Sequence, residues 1–136
     1  MIGDWRVDRV VPGMAGMRGS ARVVLLHGDT ALYSERVSIQ LQTGERVEGA
    51  RKYLYCRTDA GLDVLFEDTG RLYQSLRFRR EESLLLAEAA HDCGMDRYES
   101  EYRIHGQDHF TIRDVVRGPR KDYEMTTIYR RTGRAR

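Results

Sequence analysis

The sequence predicts an all-β protein: a single up-and-down antiparallel β-barrel of about ten strands. Three observations predict it. Apolar residues recur with period two in short runs, and helical periodicity is nearly absent. The runs are closed by turns that carry Gly, Asp or Pro. Every connection is short, so sequential strands become antiparallel neighbours, and about ten strands in one sheet curl or close to avoid a long exposed edge. At 136 residues the chain makes one domain, residues 1–136, large enough to bury most of the surface of its unfolded state.

The strands follow in order. The first spans about 5 to 11, and the second spans 18 to 27 and ends at the turn Gly28-Asp29. The third, 31 to 41, alternates most clearly: Ala31, Tyr33, Val37, Ile39 and Leu41 share one face, with Ser34, Arg36, Ser38 and Gln40 on the other. "QTGE" turns the chain into 47 to 57, and "TDAG" and "EDTG" bracket 62 to 67. A strand at 71 to 79 leads to "EESLLLAEAAHDC", whose Glu, Leu and Ala also suit a helix. Its length matches its neighbours, so 83 to 91 is assigned as strand. "HGQD" then separates 96 to 105 from 109 to 117, and "RGPR" leads into 122 to 131. The basic end, 130 to 136, is expected to fray. A two-sheet sandwich is the rival, but it needs a long crossover, and "PGMAGMRG" at 12 to 19 is short for one.

Charge and cysteine content exclude several classes. Lys and Arg number 23 against 21 Asp and Glu, a net charge of +2 with no clustered basic patch, so nucleic acid is not an expected partner. Two cysteines, Cys56 and Cys93, make neither a disulfide framework nor a zinc spacing. The opening "MIGDWRVDRV" is too charged for a signal peptide and no run of about 18 apolar residues occurs. The expected setting is therefore cytoplasmic, without membrane insertion.

Alternation sorts the faces. In "DRYESEYRI", Arg97, Glu99, Glu101 and Arg103 must face water, which turns Asp96, Tyr98, Ser100, Tyr102 and Ile104 inward. Glu35 is carried inward by Tyr33 and Val37, and Arg51 travels with Tyr53 and Tyr55. On the last strand Met125, Thr127, Tyr129 and Arg131 form the more apolar row. The resulting interior places Glu35, Arg51, Asp96 and Arg131 beside Tyr hydroxyls and apolar residues such as Val64 and Phe66. Buried charges must pair or meet a ligand: Glu35 with Arg51, and Asp96 with Arg131 or a tyrosine, would satisfy one another. Eight Tyr against three Phe and one Trp also suit a wet, aromatic cavity in which Arg51 meets an anion.

The expected function is a small-molecule-binding barrel holding an amphipathic or aromatic, anionic ligand, with Glu35, Arg51, Tyr53, Tyr98, Tyr102 and Arg131 as polar contacts and no cofactor. The alternative is a cofactor-free isomerase, cyclase or hydrolase using His91 or Asp96 as general base and Tyr98 as acid or oxyanion donor. His91 and Cys93 share one face of an extended segment, which is short of the three ligands a catalytic zinc takes; a haem-binding barrel with a histidine ligand is a further alternative. Arg120 and Lys121 at a barrel mouth could guide an anion inward. A homodimer through an exposed edge or outer strand face is also open, although no apolar stripe compels it.

Gly3-Asp4-Trp5 at the head of the first strand and Arg130-Arg131 in the last resemble the lipocalin and fatty-acid-binding (calycin) group. That resemblance implies that Trp5 closes the barrel floor with Arg130 or Arg131 laid over its ring, a cation-π contact. Nearly the whole chain, through Trp5-Arg6, "ARKYLY", "DVLFEDTGRLY", His91-x-Cys93-x-x-Asp96-x-Tyr98 and "RGPRKDYEMTTIYRR", is similar to a small bacterial and fungal family of unknown function. It implies a calycin-like barrel and brings no reaction or ligand.

Overall fold

The computed structural model describes residues 1–13 and 16–134. Eleven strands follow one another: β1 Gly3–Val10, β2 Met17–His27, β3 Thr30–Gln40, β4 Arg46–Arg57, β5 Leu62–Phe66, β6 Leu72–Leu76, β7 Arg79–Glu81, β8 Leu84–Cys93, β9 Asp96–Ile104, β10 His109–Arg117 and β11 Asp122–Arg134. They form one sheet in the order β6-β5-β4-β3-β2-β1-β11-β10-β9-β8-β7, with every pair antiparallel. Apart from β6 and β7, which are not bonded to each other, each strand lies beside its sequence neighbours, and β1 joins β11, as an up-and-down barrel requires.

The ring closes through covalent continuity. Following the antiparallel pairings round from β1 in both directions, β6 and β7 run the same way, separated only by Arg77 and Phe78. They are two halves of one bent strand, the first bonded to β5 and the second to β8. The single run expected at 71 to 79 is thus broken where it changes partner, which accounts for eleven strands rather than ten. "EESLLLAEAAHDC" is strand from Leu84, as assigned. The basic end, expected to fray, is strand as far as Arg134 because it pairs with β1; residues 135 and 136 lie outside the described residues.

The two ends of the barrel differ. One end gathers both chain termini, since Gly3 pairs with Arg134, together with the turns after β2, β4 and β9. Trp5 plugs this floor, fully buried, with its ring edge-on to Phe110 at 4.7 Å and its indole Nε1 donating to the Met1 carbonyl at 2.8 Å. The Arg131 guanidinium lies 4.4 Å from the Trp5 ring centre and donates to the Ile2 and Gln107 carbonyls. Of the two candidate arginines, Arg131 makes the contact the resemblance implied. Arg130 is exposed on the outer face, paired across the sheet with Arg6 and His109. The core continues inward from the floor through Val7, Val23 and Tyr129, whose ring stacks on Phe110 at 4.2 Å.

One expectation about the outer face fails. The pairings align Val24, Leu32, Leu54, Leu65 and Leu72 side by side across β2 to β6, an outward apolar row. No single strand reveals it, because each contributes one residue and only the register puts them in line.

Candidate functional site

Between the Trp5 floor and the opposite end lies a cavity of about 380 Å³, within the range of small-molecule sites. Its walls come from eight strands. Arg51, Tyr53 and Tyr55 project from β4, Phe66 from β5, Tyr73 and Gln74 from β6, and His91 and Cys93 from β8. Tyr98, Ser100 and Tyr102 project from β9, and Ile112, Asp114 and Val116 from β10, with Tyr33 from β3 and Tyr123, Met125 and Tyr129 from β11 completing the lining. Each set obeys period-two alternation except at β6. There a bulge between Val64 and Leu65 of the partner strand lets Tyr73 and its neighbour Gln74 both reach the interior.

The deepest polar cluster surrounds Glu35. Its carboxylate accepts from Arg9 at 2.9 and 2.7 Å and from the Tyr33 hydroxyl at 2.5 Å, and the Arg51 Nε stands 3.1 Å away. Because Tyr33 spends its proton on Glu35, Tyr129 must donate to Tyr33 in their 2.7 Å contact. Arg9 also donates to Thr127 at 2.8 Å. Burial would raise the Glu35 pKa, but the Arg9 hydrogen bonds and the Arg51 charge outweigh it and hold the carboxyl below its ordinary value. Burial likewise opposes the charge on Arg51, and Glu35 with the nearby tyrosines more than restores it. The side chains of Arg9 and Glu35 are 4% and 1% exposed, whereas that of Arg51 keeps 34%, on the cavity side. Arg51 alone of the three can touch a ligand.

A second cluster faces it from β6, β9 and β10. Gln74 Nε2 donates to Ser100 Oγ at 2.8 Å, and Ser100 donates to Asp114 at 2.5 Å. Burial raises the Asp114 pKa, partly offset by the Ser100 hydrogen bond and the Arg51 charge. Gln74 is buried, and its Oε1 has no hydrogen-bond partner among the described residues. Aromatic rings complete the walls: Tyr53 and Tyr73 stack at 5.5 Å, and His91 sits among Phe66, Tyr73 and Tyr98. Burial pushes the Tyr55 and Tyr102 hydroxyls well above their ordinary pKa, so both stay protonated.

The expected site residues divide. Arg51, Tyr53, Tyr98, Tyr102, His91 and Cys93 line the cavity. Glu35 is inside but saturated by its arginines and Tyr33. Arg131 belongs to the floor, where it covers Trp5 and pairs with Asp108 at 3.1 Å, so it is not a cavity contact. Asp96 does not line the cavity either: Lys121 lies 3.6 Å from its carboxylate, and the Cβ-less Gly118 is packed against it. The expected pairing of Asp96 with Arg131 or a tyrosine is therefore replaced by a turn contact. Lys121 also donates to the Tyr98 hydroxyl at 3.0 Å, which places its charge beside the cavity rim. Among the described residues no group of three or more His, Cys, Asp or Glu is arranged to hold a metal, and no helix is long and apolar enough to cross a membrane.

Sequence reasoning missed Arg9, Gln74 and Asp114. Arg9 and Asp114 were within reach, because counting by twos from Trp5 and Val7 leads to Arg9, and from Phe110 and Ile112 to Asp114. Gln74 was not, because the bulge removes the parity that such counting needs.

A family model described as "Family of unknown function (DUF6314)" matches residues 1–131. No curated protein matches the sequence. Among solved structures, EF1p2_mFAP2b bound to DFHBI aligns with a TM-score of 0.50 at 10% identity, covering 96% of this chain and 93% of that chain. Two redesigned β-barrels align less closely: b11L5F_LGL at 0.47 and 11% identity, covering 97% and 91%, and mFAP1 bound to DFHBI at 0.45 and 11%, covering 96% and 94%. The first of these likenesses supports the barrel fold.

Proposed function

Because the chain belongs to this family of unknown function, its activity must be argued from its own cavity, and we propose that it is a small-molecule-binding barrel of the calycin type. One observation carries the reading: a cavity of about 380 Å³ walled by aromatic rings, into which Arg51 presents a charge that Glu35 does not fully consume. A barrel built only for stability would fill this space, since cores pack to near-crystalline density. The aromatic walls favour a flat, amphipathic molecule, and Arg51 favours an anionic group on it. Native mass spectrometry of freshly purified protein tests the reading directly. A retained small molecule, or saturable uptake of an aromatic acid that Arg51→Met weakens, supports it; a cavity that takes up no small molecule overturns it.

A catalytic reading draws on a separate observation: His91 and Tyr98 open onto the same cavity, with ring centres 6.4 Å apart. A base and an acid facing one substrate is what proton-transfer catalysis needs. In this reading Asp114, not Asp96, is the carboxyl at hand. Recovery of a captured ligand chemically unchanged after prolonged incubation with the protein removes it.

A further inference from the structure

The two polar clusters are opposite in kind, and their opposition narrows the ligand. Both Glu35 oxygens are taken by Arg9 and Tyr33, so the Arg51 guanidinium retains donors for an incoming acceptor. Across the cavity the Gln74–Ser100–Asp114 chain runs the other way. Ser100 has one proton, given to Asp114, so its oxygen must be served by the Gln74 amide N–H, and this orients the amide. The Gln74 Oε1 is left as a buried acceptor with no donor, in a side chain that is only 2% exposed and lines the cavity. Such an acceptor is costly unless something completes it. The protein supplies no donor among the described residues, and Gln74 is one of the residues that line the cavity.

Resting on the ligand-binding reading above, we propose that the ligand is a planar aromatic acid that carries an N–H or O–H donor away from its anionic group. Its anion meets Arg51, its rings lie among Tyr53, Tyr73 and Tyr102, and its donor is received by Gln74 Oε1 with Asp114 beside it. The two poles fix the direction in which the molecule enters, and each rejects a different analogue. A molecule lacking the donor leaves the Gln74 Oε1 unpaired, and one lacking the anion leaves the Arg51 donors that Glu35 does not use without an acceptor.

Three matched probes separate these terms: indole-3-acetate, which has both poles, 1-methylindole-3-acetate, which lacks the donor, and 3-(2-hydroxyethyl)indole, which lacks the anion. Binding is measured by calorimetry on the wild type, Arg51→Met, Arg51→Lys and Gln74→Met, each first shown to melt cooperatively. The wild type is expected to prefer indole-3-acetate over each of the other two by about tenfold, the worth of one buried hydrogen bond. Gln74→Met is expected to abolish only the preference against the methylated acid. Arg51→Met is expected to abolish only the preference against the alcohol, which Arg51→Lys retains in part. Equal binding of all three probes to the wild type, or preferences that survive both Met substitutions, overturns the proposal. If none of the probes binds but the neutral dye Nile red does, the two-pole proposal falls and the binding barrel stands. If Nile red also fails and native mass spectra show no retained molecule, both fall.

Discussion

At the scale of single residues, the two interior carboxyls carry opposite pH signatures. Glu35 is held below its ordinary value of 4.5. Its contribution to stability is therefore complete above that value and is lost as the pH falls through the lower, folded-state value. Asp114 is raised above 3.8, so the folded state binds its proton more tightly than the unfolded chain does. Stability is lost as the pH rises through its folded value, and the penalty persists at neutrality. Asp114→Asn, which can still accept from Ser100, is expected to raise the melting temperature at pH 7 and to match the parent below about pH 3.8. Glu35→Gln strands two arginines and is expected to cost about 3–5 kcal/mol at pH 7, with much less difference in acid, as denaturant titrations at the two pH values would show. Trp5→Ala removes the floor plug and is expected to cost about 3–5 kcal/mol, read from the same titrations. The inward face of Glu35 was legible because it sits in a run whose alternation is clean, whereas the place of Trp5 at the floor came from the calycin resemblance. Alternation placed Arg131 on the correct face but could not separate its two expected places, over Trp5 at the floor or against a ligand in the cavity, because parity tells inside from outside and says nothing of depth along the barrel.

At the scale of elements, a strand's length and face were readable while its partner and its bends were not. Tyr33, Val37 and Ile39 mark the face of β3 without help from any neighbour. The break at Arg77 and Phe78 has no comparable local sign: it arises because the first half of the strand is bonded to β5 and the second to β8. A close approach between strands is equally silent. At Gly19 an added Cβ would run into the Arg36 carbonyl oxygen and the Val37 backbone of β3, so β2 fits there only without a side chain. Gly19→Val is expected to push these strands apart at a cost of about 1–3 kcal/mol, measurable by chemical denaturation, whereas the same change at the unobstructed Gly106 costs little.

At the scale of the whole molecule, the topology followed from short connections, but the manner of closure did not. Strand β1 is bonded along its length to β2 and β11, so the chain ends form a continuous part of the wall. The weaker seam lies where β6 passes into β7, each half bonded on one side only. Hydrogen exchange is expected to reach Arg77, Phe78 and the three residues of β7 well before the centre of β1, because local opening there breaks few bonds. Equal protection at the two places would show a wall of uniform strength. The shared location of the chain ends has a practical side. Gly3 and Arg134 meet at the Trp5 floor, while His91, Tyr98 and Lys121 lie toward the far end. Whatever is attached to either terminus hangs from the base like a stem beneath a cup. A sensor chip that grips the chain by its amino or carboxyl end would therefore present every molecule rim outward, and both orientations of tether should report the same affinity for a captured compound.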